Sequence, residues 1–405
     1  MSTQAAHRAP GLESSDGVSR EPARLPLAAL LVMALVGFLL IATETMPAGL
    51  LPQIAAGMSI SEGLAGQFVT AYALGTVIAA IPAVALTRRM RRKPVFVVAV
   101  LGFLAATGVV ALSGNVGLSL GARFVAGAFS GLIWGITAGY ARRITAPEYA
   151  GRALAIASLG TPIGLAVGTP FGSWLGTTLN WRWSFGALAI LSLITVALVV
   201  VLVPDAPGQA ATSQMSLLNV VRLPGVAVIL GVIVVWMLAH NTMYTYISAY
   251  LRSGDLQLSV DLALMTFGVA ALIGIGITGV VIDRLLRPLV LASIGLFIVA
   301  GAVFIVGRES LVAVVAAIIL WGLAFGGAAA QLQTAISMAS GENADVANLM
   351  LGVAFNLAIF GAGILGAIAL SAFSGLVLPL VMVGLAAVAL TIALAGRRSA
   401  FPLKP

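Results

Sequence analysis

The sequence contains no cysteine and only two histidines, His7 and His240. A disulfide framework, a thiolate metal site and a histidine-rich metal cluster are thereby excluded. Charge is also scarce: 8% of the 405 residues are Asp, Glu, Lys or Arg, against about 25% in ordinary soluble domains. A soluble protein of this length could not cover its surface with so few charges, which rules out a soluble enzyme, a disordered protein and a coiled coil. No G-x-x-x-x-G-K-[ST] stretch is present, so ATP is not the driver. No nucleophile–histidine–acid set can be assembled, because His240 is the only histidine within the apolar spans and no acid lies near it in its span, and nothing calls for a cofactor. What remains is apolar: 60% of the residues are hydrophobic, and 46 glycines outnumber the 34 charged residues (21 basic, 13 acidic). Such a chain needs a bilayer as solvent, and its glycines suit close helix–helix contact in lipid.

Residues 1–24 are polar, carry Pro10 and Pro22, and read as a disordered tail. The apolar run from Leu25 to Leu51 is too long for a signal-peptide core and reads as a retained span. With about 20 apolar residues needed to cross a bilayer, twelve candidates follow: 25–51, 64–86, 94–113, 117–141, 153–178, 184–203, 225–251, 260–282, 288–307, 311–338, 346–373 and 376–396. The longest polar break, 204–224, holds Asp205, Pro207, Gly208 and Arg222 and lies mid-chain. It reads as a linker between two six-helix bundles, 25–203 and 225–396, with a second tail at 397–405. The expected fold is all-α.

Seventeen of the 21 Lys and Arg residues fall on one side of this topology and three on the other; Arg123 lies inside a span. The asymmetry places both termini in the cytoplasm, with the chain in the inner membrane. It accounts for the net charge of +8 without nucleic acid, and the basic loop Arg88–Lys93 can also meet anionic lipid.

The halves repeat. Glu44 plus 196 is His240, Thr70 plus 196 is Thr266, and Thr87 plus 196 is Asp283; after a two-residue-shorter loop, Pro94 maps to Pro288 at a spacing of 194. At that spacing Gly160, Gly164, Gly168 and Gly172 map to Ala354, Ala358, Ala362 and Gly366. Parallel six-helix repeats are an architecture of secondary transporters, with the substrate held between the halves.

Four stretches carry a family resemblance: LTRRMRRKP after the second span, RFVAGAFSG in the fourth, SLGTPIGLAVGTPFG in the fifth, and ETMPAGLLP with YTYISAYL in the first and seventh. On these the chain resembles the major facilitator superfamily, within its drug:proton antiporters, and is similar to the bacterial sugar, purine-nucleoside and drug efflux group. The resemblance implies a gate latch around Arg88, Arg92, Asp283 and Arg284. It also implies a glycine–proline seam (Gly160, Gly164, Gly168, Pro170, Gly172) packed against the other half and associated with exchange. One departure stands out: the loop signature usually has Asp where this chain has Thr87.

Charges inside spans are costly and mark function. Glu44 and Arg123 fall at matching depth, so a carboxylate–guanidinium pair is expected there, able to exchange a proton; a static strut is the alternative. His240 is expected to bind substrate or relay a proton, or else to donate to a neighbouring carbonyl. Tyr244 shares its face at i+4. Tyr246 and Tyr250 better fit an interfacial belt. Gln331 and Asn356 are polar groups placed to face the cavity or to bridge helices, as Asn348 and Gln333 can. These residues together indicate proton-coupled efflux of a small organic molecule (drug, nucleoside or sugar) by alternating access. The expected partners are substrate, protons and the bilayer, with the protein a monomer. An uptake symporter or facilitator on the same fold is the alternative; a membrane enzyme or receptor lacks a catalytic set or a sensor domain.

Overall fold

A computed structural model of the chain describes residues 25–208, 217–254, 257–396 and 399–401. The tail expected at 1–24 and the middle of the expected linker lie outside the described residues. Those described form an all-helical protein with no strand.

Twelve apolar segments run in alternating directions: α1 (Leu27–Gly49), α2 (Glu62–Thr87), α3 (Arg92–Leu112), α4 (Val116–Arg143), α5 (Pro147–Thr178), α6 (Trp181–Leu202), α7 (Val226–Thr245), α8 and α9 (together Val260–Val306), α10 (Leu311–Ser340), α11 (Ala344–Ala372) and α12 (Leu378–Ala395). The starts of α2, α4 and α6 are capped by Ser61, Asn115 and Asn180, whose side chains accept from the amides of Leu64, Leu118 and Arg182, satisfying donors a helix start leaves free. Between α8 and α9 the chain barely leaves helical geometry. Only Leu285 (φ −129°, ψ 37°) interrupts it, and Pro288 is accommodated in the turn that follows.

Several helices carry proline within them, Pro82 in α2 among them. Pro47 sits inside α1. In α5, Pro162 and Pro170 flank a π-helical turn, Gly164–Gly168, a locally widened stretch of helix.

In the first half α2 packs along α4, α3 against α4 and α6, and α1 against α5 and α6; in the second, α8 packs along α10 and α7 against α11 and α12. The halves meet along two seams, α2 on α11 and α5 on α8. Both seams are sealed at the face away from the basic loop Arg88–Lys93. There Glu62 forms an ion pair with Arg252, and the Tyr246 hydroxyl donates to Gly363 O at 2.7 Å and lies 3.5 Å from Gly63 O. Gln67 Nε2 also donates to Gly363 O, at 3.3 Å. Gly268 of α8 lies so close to α5 that a Cβ on it would stand 2.8 Å from the Ala166 Cα. Toward the basic face the same surfaces part. On α5, Ala166, Thr169 and Ser173 are buried while Gly151, Ala155 and Ser158 are exposed; on α8, Leu264 and Gly268 are buried and Gly279 is exposed.

Candidate functional site

The first half builds its charged centre around a proline. Pro47 has no amide proton, so the carbonyl of Thr43, four residues earlier, loses its helical partner. Arg123 of α4 takes that carbonyl: Nη1 donates to Thr43 O at 3.0 Å and Nε to Phe68 O of α2 at 2.8 Å. The guanidinium lies over the Tyr72 ring, 4.5 Å from its centroid, with Phe185 at 5.8 Å on α6. Tyr72 is in turn held by its hydroxyl, which donates to Leu40 O at 3.3 Å. Arg123 is fully buried, and its Nη2 has no partner.

Glu44 follows Thr43 directly. It is 7% exposed, and among the described residues it makes no hydrogen bond or ion pair. The expected Glu44–Arg123 pair is therefore brought into one site but is not closed as a salt bridge. The geometry gives the reason: backbone carbonyls run along the helix axis while side chains radiate from it, so a guanidinium seated on the Thr43 carbonyl does not have to meet the Glu44 carboxylate. Two complementary groups, the carboxylate and Nη2, stand unpaired around one turn of α1.

The second half answers with rings. His240, the repeat mate of Glu44, is buried in α7. Its Nδ1 accepts from Trp321 Nε1 at 3.0 Å, and its ring stacks on Phe325 at 3.5 Å between centroids, 6° from parallel. Phe267 of α8 and Tyr244 close the box at 5.6 and 5.3 Å. The bulk is exchanged between the repeats. At the spacing of 196, Tyr72 corresponds to Gly268 and Ala71 to Phe267; at 194, Arg123 corresponds to Ala317, Gly127 to Trp321 and Gly131 to Phe325. Where one half carries a large group at these positions, the other carries glycine or alanine.

Tyr244 is buried, and its hydroxyl, directed toward Thr169 of α5 across the seam, completes no hydrogen bond. Thr169 shares a hydroxyl–hydroxyl bond with Thr45 of α1. Asn241 beside His240 donates only to its own helix, to Met237 O. Glu44, Thr45, Thr169, His240, Asn241 and Tyr244 thus belong to the central helices α1, α5 and α7.

Other expected positions fall elsewhere. Gln331 is not a cavity residue: its Nε2 donates to Thr278 Oγ1 at 3.2 Å and Ser293 Oγ at 3.0 Å, joining α8, α9 and α10 inside the second half. Asn356 donates to Gly352 O of its own helix, and its Oδ1 is buried without a partner; Asn348 bonds Ser337 of α10. Thr70 lies against Gly363 of α11, whereas Thr266 bonds back to Leu262 of its own helix. Tyr246 and Tyr250 are not a belt. Both are fully buried, the first pinning the sealed seam and the second donating to Phe304 O.

The glycine face of α5 is also corrected. Gly160, Gly164, Gly168 and Gly172 meet Ala34, Phe38, Ile41, Ala42 and Met46 of α1, in the same half; a Cβ on Gly160 would lie 1.8 Å from Ala34 O. The other half touches the neighbouring α5 face through Ala166. Pro170 is buried beside this glycine row.

At the basic face, Thr87 bonds back to Ala83 O, and the loop carboxylate comes from Asp205 at the end of α6. Its Oδ1 accepts from the Lys93 amide at 3.0 Å, and its Oδ2 pairs with Arg91 at 2.5 Å. Desolvation is the largest single influence on the Asp205 carboxyl and pushes it up, but the Lys93 amide, the Arg91 guanidinium and the Ala206 amide together outweigh it and hold it below its ordinary value. Arg92 Nη2 donates to Arg88 O at 3.0 Å. Asp283 and Arg284 line a cleft of 320 Å³ on this face, formed by second-half residues.

The sequence reading missed Pro47 as the cause of Arg123's seat, although its spacing from Thr43 was readable. It also missed Trp321, Phe325 and Phe267, whose signal was their exchange with small residues in the first repeat, and Asn241 and Thr169.

A sequence profile described as Major Facilitator Superfamily matches residues 33–363. A curated relative, the "Probable sugar efflux transporter" of Haemophilus influenzae (strain 86-028NP), is 26% identical over 345 residues, covering 83% of this chain and 84% of the relative. The crystal structure of the human organic anion transporter MFSD10 (TETRAN) superposes with a TM-score of 0.69 over 92% of this chain and 100% of the other, at 14% identity, which speaks to fold alone.

Proposed function

The chain belongs to the major facilitator superfamily, the transporters whose profile it matches along most of its length, and from that membership we propose that it exports a small, oxygen-rich organic molecule in exchange for protons. The observation that carries the reading is Glu44: a carboxylate buried at the centre of the protein, one residue from the carbonyl that anchors Arg123, and free of any ion pair. Such a group exchanges a proton with water arriving along the seam, while Arg123, held by two carbonyls, stays charged and in place. Intramembrane ionisable residues mark ion paths by default.

We read the face that carries the basic loop Arg88–Lys93 as the cytoplasmic one, because Lys and Arg gather on that side, and the membrane as the inner membrane. The seams are then sealed toward the outside and parted toward the cytoplasm, the arrangement that receives substrate from within the cell. Rocking of the halves about α1, α5 and α7 delivers it outward, with a proton on Glu44 returning. The name of the Haemophilus relative makes sugars the first compounds to try, and the hydrogen-bonding groups of α7 suit them.

The test is transport into inverted membrane vesicles from a host expressing the protein, across a panel of labelled sugars, nucleosides and cationic drugs, with and without an uncoupler. Uncoupler-sensitive accumulation of a sugar supports the reading. Accumulation that persists in the uncoupler contradicts proton coupling, and uptake only into right-side-out vesicles contradicts export.

A further inference from the structure

We propose that Trp321 is a positioning residue that fixes the tautomer of His240, so that the imidazole meets the central site as a neutral Nε2–H donor and takes no part in carrying the proton. The inference deepens the transport reading above and rests on it for the role of α7.

An indole N–H can only donate. The 3.0 Å contact from Trp321 Nε1 to His240 Nδ1 therefore requires a lone pair on Nδ1, which places the ring's single proton on Nε2. A second proton on Nδ1 would set two donors against each other in a buried place, losing a hydrogen bond and leaving two unsatisfied groups. The ring cannot swing away to relieve this, because it is stacked on Phe325 and flanked by Phe267 and Tyr244. No counter-charge is at hand to favour an imidazolium. The rings packed on it from α8 and α10 are Phe267, Trp321 and Phe325, none of them titratable; Tyr244 on α7 is neutral in the physiological range. Glu44 on α1, beside α7, and Arg123 behind it are the charged groups of the neighbouring half, and neither bonds His240. Nε2 itself has no partner among the described residues. It is therefore free to donate to an acceptor oxygen of the substrate, a hydroxyl, ether or carbonyl, and the site selects a neutral oxygen-bearing molecule over a cation at this position.

The sequence makes the test direct. With His7→Ala, His240 is the only histidine, so ¹⁵N-histidine labelling of the full chain in lipid nanodiscs reports this ring alone. The expected spectrum shows an acceptor-type Nδ1 and a protonated Nε2, unchanged across about pH 5 to 8, the window in which an ordinary histidine titrates. In Trp321→Phe the second tautomer appears, and the ring titrates within that window. An Nδ1–H tautomer in the Trp321 protein, titration of that protein within the window, or a Trp321→Phe spectrum identical to it would overturn the proposal. If Trp321→Phe does not fold, the spectrum and titration of the Trp321 protein decide alone. The resonances do not depend on transport, so failure of the export reading in vesicles would leave the tautomer of His240 where the spectrum puts it.

Discussion

Pro47 and Arg123 are joined through a single carbonyl. The proline ring withholds the amide proton that would have bonded Thr43 O, and the guanidinium, arriving from α4, bonds that oxygen at 3.0 Å. The polar centre of the first half is thus set by the amide donor that Pro47 lacks.

Substitution of Arg123 by Lys is expected to fail. An ammonium on a flexible stem cannot hold Thr43 O and Phe68 O together while lying flat on Tyr72. A hydrogen bond from a charged group contributes about 1.5–3 kcal/mol, so losing one lowers the working population roughly tenfold or more. Arg123→Lys should reach the membrane, melt earlier in detergent and transport poorly. Transport equal to the parent would show that the two-carbonyl seat is dispensable.

Pro47→Ala tests the same relationship from the other side. The new amide can bond Thr43 O, and that bond should stabilise the helix by up to about 3 kcal/mol while displacing Arg123. The charged bond lost from Thr43 O, about 1.5–3 kcal/mol, offsets that gain, so the expected outcome is a melting temperature near the parent's and reduced transport. Unchanged transport would separate the proline from function.

The sealed face depends on Tyr246, whose hydroxyl holds Gly363 O at 2.7 Å beside the Glu62–Arg252 ion pair. Tyr246→Phe should loosen it. The chain has no native cysteine, so spin labels on cysteines placed at Ser61 and Ser253 report the gap directly. The expected result is a longer, broader distance distribution in Tyr246→Phe than in the parent pair; an unchanged distribution would assign the seal to packing alone.

Asp205 gives a pH prediction. Its carboxyl is held below its ordinary value, so its contribution is fully present above the unfolded value near about 3.9 and is lost as pH falls through the lower folded value. Asp205→Asn should melt earlier than the parent at neutral pH, by an amount reduced by salt because Arg91 is exposed. The difference should shrink on acidification below that range; a difference independent of pH would deny the carboxylate its role.

The all-α fold and the apolar spans were legible because length and hydropathy are properties of the chain itself. Facing was not. A helix apolar all round carries almost no signal for which side is buried, so the partner of the α5 glycine row rested on the family resemblance, which points to the other half, and Gln331 stood open between facing the cavity and bridging helices. Tyr246 and Tyr250 were misread for a related reason: position along a span suggests a belt, but only the tertiary fold shows that a neighbouring helix offers a carbonyl. The break between α8 and α9 looked like a loop because IDRLLRP is polar, yet only Leu285 leaves helical geometry.

The most direct measurement of proton coupling compares Glu44→Gln with the parent in proteoliposomes, using a sugar identified by the vesicle screen. Two assays are run, uphill transport driven by an imposed pH gradient and gradient-free exchange of labelled for unlabelled substrate. If Glu44 carries the proton, Glu44→Gln loses the uphill transport and keeps the exchange. Uphill transport by Glu44→Gln at the parent's rate would contradict the assignment.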